Sequence, residues 1–475
     1  MKKILTVFAV LLLISTSLLA ACGGSDGEES LFESKIDLFP DQSGESSESG
    51  DESVAESVAE SIAESKPEEN DKSEASKEDN NDESSKEEAK EIAKLPTEYI
   101  EGELNVMAAS FSEKPYFALV GRCADGATVT GEAGGETVVS ESYKGWYSLR
   151  LKCSGSAVDV KLSQTVDGKA VGKAQELRIK PVMPGSEMWP VVTGGDFQFF
   201  FQKMLPDFQG KNIPSNFLLN NLEVRTRNKL NLLRESKPDA EIIYLLVPSA
   251  MSVYPELVPE QYKPCEGPTK YDYIVEKLKA GGATVIDLKS AFEQHKNDEM
   301  PLYYKLDSHW SDYGAFVAYT ELFNHISKTF PDAAPLGIDE FNWNPNYYNS
   351  GDMSYYLAMS QSQIKEYSYF RTFKNSVPED IFRIDRYRSK NQLTYSDDVT
   401  YEKIINTGYS NLPKCVVMRD SYSTQMYDIL AERTSSTHYL GMWNYTWDKN
   451  QMRYESPDYV IYIVAEWNLD AVLNG

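Results

Sequence analysis

The chain has 475 residues and a formal net charge of −26. No basic run or patch interrupts this acidity, which argues against a nucleic-acid partner. Residues 95–475 alone are long enough for two domains.

The N-terminus has the plan of a bacterial lipoprotein signal. Two lysines precede an apolar run over 4–21, and residues 19–22, Leu-Ala-Ala-Cys, resemble a lipobox. We therefore predict a signal peptide over 1–21, cleavage before Cys22 and lipid attachment to its thiol. The alternative is an uncleaved membrane anchor. The mature protein is then extracytoplasmic and lipid-anchored to the cell membrane.

Residues 22–95 are predicted to be a disordered acidic linker, rich in serine and glutamate. Residues 23–94 hold 24 acidic residues and 7 lysines, with almost no aromatic side chains. Such a composition cannot bury enough apolar surface to offset its conformational entropy. We predict a solvated spacer; the alternative is a transient helix or weak coiled coil, because the Glu-Ser-Val-Ala repeat places Val54, Val58 and Ile62 along one helical side.

Residues 96–182 predict a small all-β module. Short alternating strands lie between glycine-containing turns, a spacing similar to that of bacterial immunoglobulin-like sandwiches. The strands are predicted at 127–130, 146–151 and 158–162. The module is either a rigid spacer or a glycan-binding unit. Cys123 and Cys153 are a candidate disulfide pair, which export permits but does not require.

From residue 185 to residue 475 the pattern changes to strands alternating with helices. This alternation indicates an α/β domain with a mainly parallel sheet. Buried strands are predicted at 241–247, 283–287, 414–418 and 459–464, and helices at 218–237, 273–280, 313–330 and 424–433. Ser311 is the expected N-cap of the helix at 313. Residues 341–410 break the rhythm and are interpreted as an insertion.

Two segments of this domain carry the parts of an acyl-transfer site. Asp307 and His309 are two residues apart, so in an extended chain their side chains lie on one face. Ser421 follows a predicted strand at a turn, at the edge of the sheet where ligands bind. Ser421 is then the nucleophile, His309 the base and Asp307 the group that orients the imidazole. The first N–H groups of the next helix are available for an oxyanion.

The same residues also have purely structural explanations. Asp307 or Ser308 can cap the helix that follows, and Asp420-Ser421 can cap the next one. His309 is then a hydrogen-bonded histidine of the core.

A metal site is a further alternative for this cluster. Asp307, His309 and Asp312 carry ligand atoms, but no second histidine lies at the usual ligand spacing. Ser423 and His438 are the best alternative nucleophile and base. We predict neither a metal nor a cofactor.

Several segments resemble, in order, the SGNH-hydrolase-like proteins of the alginate O-acetylation type (AlgX/AlgJ) and the related DHHW proteins. They are Gly194–Phe200, Leu246–Ser249, Val253–Glu256, Tyr304–Trp310, Ser350–Met353, Arg419–Tyr422 and Asp458–Glu466. Asp-x-His-Trp at 307–310 and Asp-Ser at 420–421 are the most specific of these. Two residues depart from the family pattern: Arg419 replaces a frequent glycine, and Trp467 replaces a usual arginine.

The resemblance implies a three-layer SGNH-hydrolase-like fold that moves acetyl groups onto or off polysaccharide hydroxyls. It implies a triad of Asp307, His309 and Ser421, in that permuted order, with Tyr427 as a further active-site residue. Candidate substrate contacts are Trp310, Arg419 and Tyr422. Partners implied by the family are an extracellular polysaccharide and a membrane-bound O-acyltransferase that supplies acetyl.

The sequence therefore favours a cell-surface polysaccharide O-acetyltransferase or O-acetylesterase with an acetyl-serine intermediate. The alternative is a non-catalytic surface lipoprotein that binds glycan and has a degenerate hydrolase domain. Aromatic side chains that can stack on sugars crowd two segments. They are Trp343, Tyr347, Tyr348, Tyr355 and Tyr356, and then Trp443, Tyr445 and Trp447.

Overall fold

The computed structural model describes residues 90–185, 191–348, 351–359, 364–375, 383–388, 402–442 and 446–475. All of them belong to one unit of the chain, residues 85–475. The predicted signal peptide, Cys22 and nearly all of the predicted linker lie outside the described residues, as do Trp443 and Tyr445. The predicted boundaries between the linker, the β module and the α/β domain stay predictions. Across the described ranges, no helix combines the length and the apolar character that a membrane crossing requires.

The N-terminal part of the described chain is built of strands. They are β1 Asn105–Glu113, β2 Tyr116–Arg122, β3 Thr128–Ala133, β4 Glu136–Glu141, β5 Trp146–Lys152, β6 Val158–Val166, β7 Lys169–Ala170 and β8 Gln175–Ile179. One antiparallel sheet has the order β1-β2-β5, and another has the order β4-β3-β6-β7, with β8 also paired to β6. The assignment to an immunoglobulin-like sandwich stays a prediction.

The two sheets of this module share one core. Leu119 and Leu149 of the first sheet and Val129 of the second belong to the same buried cluster. Cys123 and Cys153 also lie in that cluster, and both are free thiols. The structure therefore has no disulfide between them, and they pack as small apolar residues.

Eleven further strands follow in the described residues. They are β9 Val191–Thr193, β10 Phe199–Phe201, β11 Glu241–Val247, β12 Thr284–Val285, β13 Phe341–Tyr348, β14 Glu366–Phe373, β15 Arg383–Arg388, β16 Glu402–Asn406, β17 Lys414–Arg419, β18 Ser436–Gly441 and β19 Tyr459–Ala465. Seven of them form the main sheet, in the order β12-β11-β19-β17-β18-β16-β15. The pairs from β12 to β18 are parallel, and the last two pairs are antiparallel.

Helices lie between these strands. They are α1 Leu205–Phe208, α2 Asn216–Ser236, α3 Ala250–Val253, α4 Lys270–Ala280, α5 Leu288–His295, α6 Asp312–Ile326, α7 Asp352–Tyr356, α8 Tyr427–Glu432, α9 Lys449–Glu455 and α10 Leu469–Asn474. Ser311 caps α6, as predicted, because its hydroxyl accepts the N–H groups of Tyr313 and Gly314. The predicted helix 424–433 is divided: a 3₁₀ turn over 421–426 precedes α8.

Alternate residues of the central strands enter two cores, one on each face of the sheet. In β11, Ile243 and Leu245 join the core that includes α5 and α6, whereas Ile242 and Tyr244 join the core that includes α2 and α4. This alternation follows from the period of two in a strand. Burial on both faces explains why β11, β17 and β19 are continuous apolar runs.

The segment interpreted as an insertion is partly built into the main sheet. β15 and β16 extend the sheet at its edge, and β13 and β14 pair with each other as a separate antiparallel hairpin. Asparagine is depleted in strands, so the asparagine- and serine-rich composition of this segment did not predict them.

A third apolar cluster joins the β module to the α/β domain. Trp146 of β5 stacks on Phe197, with ring centroids 5.7 Å apart. Leu306 and Met353 belong to the same cluster. The residues that follow Leu306 and precede Met353 carry the site described next, so the β module packs directly against the loops of that site.

Candidate active site

His309 lies between a carboxylate and a hydroxyl group. Its Nδ1 is 2.7 Å from Oδ1 of Asp307, and its Nε2 is 2.9 Å from Oγ of Ser421. When the Nδ1 proton is directed to Asp307, Nε2 of the neutral ring accepts the hydroxyl proton of Ser421. The structure therefore brings together the three side chains that the sequence analysis named as nucleophile, base and orienting acid.

Asp307 and His309 meet through a turn rather than through the extended chain that the sequence predicted. Tyr303 and Trp310 pair as an isolated antiparallel bridge, so the residues between them close a tight loop. Oδ1 of Asp307 accepts the backbone N–H of His309 at 2.9 Å, which is the bond of an Asx turn. One carboxylate oxygen thus fixes both the backbone and the ring of the histidine.

Ser421 is displayed at the turn after β17, as the sequence predicted. Oδ1 of Asp420 accepts the N–H of Tyr422 at 3.0 Å, and its Oδ2 accepts the N–H of Ala465 at 2.8 Å. Asp420 therefore caps the turn and ties it to the end of β19, while the Ser421 hydroxyl is paired with His309. The N–H of Ser421 begins the turn, where such groups lack a partner inside the helix. It is a candidate donor for an oxyanion.

A second carboxylate, Asp352, supports the same loop, and the sequence analysis did not name it as a site residue. Its side chain accepts the N–H of Ser308 at 2.8 Å and also the Ser308 hydroxyl. Its own N–H donates to Oδ2 of Asp307 at 3.3 Å. A β-carbon at Gly351 would collide with the carbonyl oxygen of Leu306, so only glycine allows this approach. The Gly-Asp pair at 351–352 was the signal in the sequence.

The pKa values of the site follow from this group of carboxylates. Burial alone would lower the pKa of His309, but the charge of Asp307 and the bond to it, with help from Asp352 and Asp420, raise that pKa to about 9. Burial would raise the pKa of Asp307, yet His309 holds it below its usual value. Burial and the charge of Asp307 raise the pKa of Asp352 to about 6. The imidazole is thus largely protonated at neutral pH, and its capacity to accept a proton grows as the pH rises.

A metal ion is the chemical alternative at this place. Asp307, His309 and Asp352 hold ligand atoms within 4.8 Å of one another. Both ring nitrogens already contact protein groups, so a metal would have to displace Asp307 or Ser421. Asp312, the third ligand of the sequence alternative, accepts the backbone N–H of Arg371 at 2.9 Å instead. The geometry favours the triad over the metal site.

Two of the predicted substrate contacts are buried instead. Trp310 has no exposed surface, and its indole N–H donates to the carbonyl of Tyr422 at 2.8 Å. Arg419 is also buried, with its guanidinium 5.5 Å from the ring centre of Tyr427. Both side chains are packed away from solvent beside the turn that carries Ser421, so they support this turn rather than contact a substrate. Tyr422 lines the pocket described below.

Tyr427 is packed in the core beside the turn rather than next to the reacting groups. Its ring meets Tyr439 edge to face, with centroids 4.7 Å apart. Among the contacts of Tyr427 in the described part of the chain, none is with Asp307, His309 or Ser421. A catalytic role for Tyr427 stays a prediction.

The alternative nucleophile and base do not meet. Ser423 donates its hydroxyl proton to the carbonyl of Asp420 at 3.0 Å. His438 lies between Glu455 and Glu402, with ring nitrogens 3.0 and 2.7 Å from their carboxylate oxygens. Each is therefore held by other partners.

A small pocket opens beside the triad. Ser308 and Tyr422, the neighbours of His309 and Ser421 in the chain, form one wall. Its volume is about 280 Å³, counting the part that is open to solvent. The remaining walls are mostly apolar and include Trp467, which follows the end of β19. The pocket thus lies at the carboxyl ends of the strands, where ligands of α/β sheets bind.

Residues 233–381 match the family described as the SGNH hydrolase-like domain of acetyltransferase AlgX. This range of the chain is similar to an AlgX-type SGNH hydrolase-like domain. The matched range includes Asp307, His309 and Asp352, whereas Ser421 lies beyond it. No curated protein matches the chain.

Several solved structures are similar to this chain. PatB1 of Bacillus cereus is 16% identical, with 55% of this chain and 93% of PatB1 covered and a TM-score of 0.44. The O-acetyltransferase domain of Pseudomonas putida AlgJ is 16% identical, with 58% and 91% covered and a TM-score of 0.38. AlgX of Pseudomonas aeruginosa is 12% identical, with 61% and 67% covered and a TM-score of 0.36. At these identities and TM-scores, the structural likenesses carry no argument of their own.

The aromatic residues of the α/β domain divide between core and surface. Tyr347 and Tyr355 are exposed, and Trp343 is half-buried against the core that includes α6. Trp467, at the position where the family usually has arginine, is partly buried and lies edge to face with Phe201, at 6.3 Å between centroids. Aromatic contact with a ligand is therefore available at the pocket, and Nζ of Lys203 lies 5.0 Å from the centre of the Trp467 ring.

Proposed function

We propose that the chain is an O-acetyltransferase or O-acetylesterase that acts on cell-surface polysaccharide through an acetyl-serine intermediate. The observation that carries the proposal is the continuous path of contacts from Asp307 through His309 to the hydroxyl of Ser421. The match to an acetyltransferase family supports the acyl chemistry. The polysaccharide acceptor is the part of the proposal that follows from the family.

In the first step, Oγ of Ser421 attacks the carbonyl carbon of an acetyl ester. Nε2 of His309 takes the hydroxyl proton as the new C–O bond forms, and Asp307 stabilises the resulting imidazolium. The N–H of Ser421 stabilises the oxyanion. When the ester C–O bond breaks, the leaving oxygen receives the proton from His309, and the acetyl group remains on Ser421.

In the second step, a hydroxyl group attacks the acetyl-serine. His309 takes its proton, the bond between the acetyl carbon and Oγ breaks, and His309 returns the proton to Ser421. A sugar hydroxyl as attacker gives transfer, and water gives hydrolysis. A membrane-bound O-acyltransferase encoded beside this chain would favour transfer, since such a partner supplies acetyl in this family.

We further propose that the enzyme is extracytoplasmic and held at the membrane by lipid on Cys22. The charged start, apolar run and Leu-Ala-Ala-Cys sequence at 19–22 support this location. Cys22→Ser is expected to abolish metabolic labelling of the chain by a fatty acid, whereas inhibition of signal cleavage should leave the label on an uncleaved precursor. Unchanged labelling of Cys22→Ser would contradict lipid attachment at this thiol.

The catalytic part of the proposal is tested with two serines of one turn. Ser421→Ala is expected to reduce kcat/KM for a chromogenic acetyl ester by about three orders of magnitude or more, because the nucleophile is lost. Ser423→Ala is the matched control: it lies two residues away, is buried, and should retain activity within a few-fold. Circular dichroism checks that both variants fold.

Equal rates for wild type, Ser421→Ala and Ser423→Ala would contradict catalysis by Ser421. That result, together with specific retention of the protein on a polysaccharide, would favour the non-catalytic binding function.

A further inference from the structure

The pocket beside the triad has walls that suit only the apolar end of a substrate. Its deep walls include Phe200, Met204, Met251 and Met353, each of which is buried. None of the described residues that line the pocket is charged, and Lys203 lies near it only over the ring of Trp467. The methionines are flexible and polarisable, so they can close around a small aliphatic group.

The hydroxyl groups that line the pocket are already paired. Ser249 donates to the hydroxyl of Ser252 at 3.2 Å, and Ser308 donates to Asp352. Tyr422 donates to the carbonyl of Ser308. A sugar ring would bind poorly to this surface, because its hydroxyl groups would lose their hydrogen bonds to water without gaining new partners in the pocket.

The volume is small for a ligand site. The value of about 280 Å³ counts all space between the lining atoms, including the part open to solvent, so the enclosed space is smaller still. It lies next to Ser421 and His309 through their chain neighbours Tyr422 and Ser308. An ester whose carbonyl carbon is at Oγ of Ser421 would therefore direct its short acyl tail into this space.

We propose that this pocket binds the acyl group of the ester and that Met204 and Met251 limit its length to acetyl. The inference rests on the proposed acyl transfer and goes beyond it, because it assigns the residues that select the acyl group. The sugar side of the substrate then leaves through the open side of the pocket, past Trp467 and Phe201.

The test compares acyl chain lengths on the full-length protein. Wild type is expected to prefer p-nitrophenyl acetate to p-nitrophenyl butyrate. Met251→Ala and, separately, Met204→Ala should raise the butyrate-to-acetate ratio of kcat/KM by about 10-fold or more, since a methylene in an apolar pocket is worth about 10–200-fold. Met251→Leu, which conserves volume, should keep the ratio of wild type.

Met452→Ala is the matched control. Met452 is equally buried but packs in the core that includes α2 and α4, on the other face of the sheet. It should lose stability as any truncated core methionine does, yet keep the wild-type ratio. The ratio is insensitive to the fraction of folded protein, so a loss of stability in one variant does not mask the result.

Three outcomes decide the inference. A raised ratio in the Met251 and Met204 variants alone supports it. An active protein whose ratio stays at the wild-type value in both variants overturns the pocket assignment and leaves the proposed function standing. A wild-type protein that cleaves neither ester overturns the proposed function and this inference with it.

Discussion

Two histidines of one domain are held at both ring nitrogens, and they differ in the second partner. His309 has a carboxylate on Nδ1 and the hydroxyl of Ser421 on Nε2. His438 has a carboxylate on each nitrogen, with Glu402 on Nε2 at 2.7 Å. A serine hydroxyl has a proton to give, whereas a carboxylate has none. A histidine can act as a general base only when its second ring nitrogen faces a group that can give up a proton. Negative charge around the ring is not sufficient.

The two histidine side chains also differ in their exposure to solvent, and so in whether a substrate can reach them. The His309 side chain is 24% exposed, while that of His438 is 3% exposed. Burial would lower the pKa of His438, but the bonds to Glu402 and Glu455 outweigh burial and raise it. His438 is therefore a buried cation that pairs with Glu402 of β16 and Glu455 of α9, and a substrate cannot reach it.

The largest expected difference between the two sites is in activity. His309→Ala should reduce kcat/KM for an acetyl ester by about three orders of magnitude or more, because the base is removed. His438→Ala should retain activity within a few-fold wherever the variant is folded. Initial rates with the chromogenic ester check both. Comparable losses of activity in the two folded variants would contradict the assignment of His309, rather than His438, as the base.

The second expected difference is in stability, where the loss should be larger for the His438 variant than for the His309 variant. His438→Ala should lower the free energy of unfolding by about 3–5 kcal/mol, because Glu402 remains buried without its partner. Because the folded pKa of His438 is raised, its stabilising contribution is complete below the unfolded value of about 6.5 and is lost as the pH rises through the folded value. The penalty should therefore shrink in urea titrations at alkaline pH.

His325→Ala is the control for this measurement. Its ring pairs with Glu241 at 3.0 Å but is 25% exposed, so a smaller penalty is expected. Equal penalties for the two variants, or a penalty for His438→Ala that grows with pH, would contradict a buried imidazolium.

The third expected effect concerns the close approach of Gly351 to the carbonyl oxygen of Leu306, which holds Asp352 beside the loop of Asp307 and His309. Gly351→Ala should reduce kcat by about 100-fold, because the new β-carbon pushes Asp352 and the Asp307 loop apart and misplaces the base. Gly337→Ala is the control, since a β-carbon there meets only one side-chain atom at 3.8 Å. Wild-type rates in a folded Gly351→Ala variant would show that the approach is not needed for activity.

The smallest effect is a shift of the pH profile. The rising limb of kcat/KM in wild type should follow the pKa of His309, about 9. Asp352→Asn removes a negative charge that helps to raise this pKa, so the limb should move to lower pH by about one unit. Asp298→Asn, in a pair with His295 at the surface, should leave the profile unchanged. A limb that stays in place or moves upward in Asp352→Asn would contradict this role of Asp352.

The sequence was a good guide where local pattern decides the structure. The apolar runs at β11, β17 and β19 predicted buried strands, and Ser311 predicted the start of α6. It was a poorer guide where distant residues decide. Asp352 acquires its role only because Gly351 brings it to Leu306, which no periodicity reveals.

The site residues show the same difference between features that local pattern decides and features that distant residues decide. Asp307, His309 and Ser421 were named as a candidate triad from residue type and spacing, and the structure brings their side chains together, but the Asx turn that joins the first two was not predicted. Trp310 and Arg419, which lie in the segments that carry the family resemblance, were named as candidate substrate contacts. Their burial depends on the packing of α6 and β17, and a sequence pattern around a nucleophile does not separate a supporting side chain from a contacting one.

The most direct measurement of the central claim is the mass of the peptide that contains Ser421 after turnover is stopped with acid. During reaction of the full-length protein with an acetyl ester, the account predicts that this peptide gains the mass of one acetyl group. The gain should be absent in Ser421→Ala and unaffected in His438→Ala. Ester cleavage without acetyl on Ser421, or with acetyl on another residue of a fully active protein, would contradict the account.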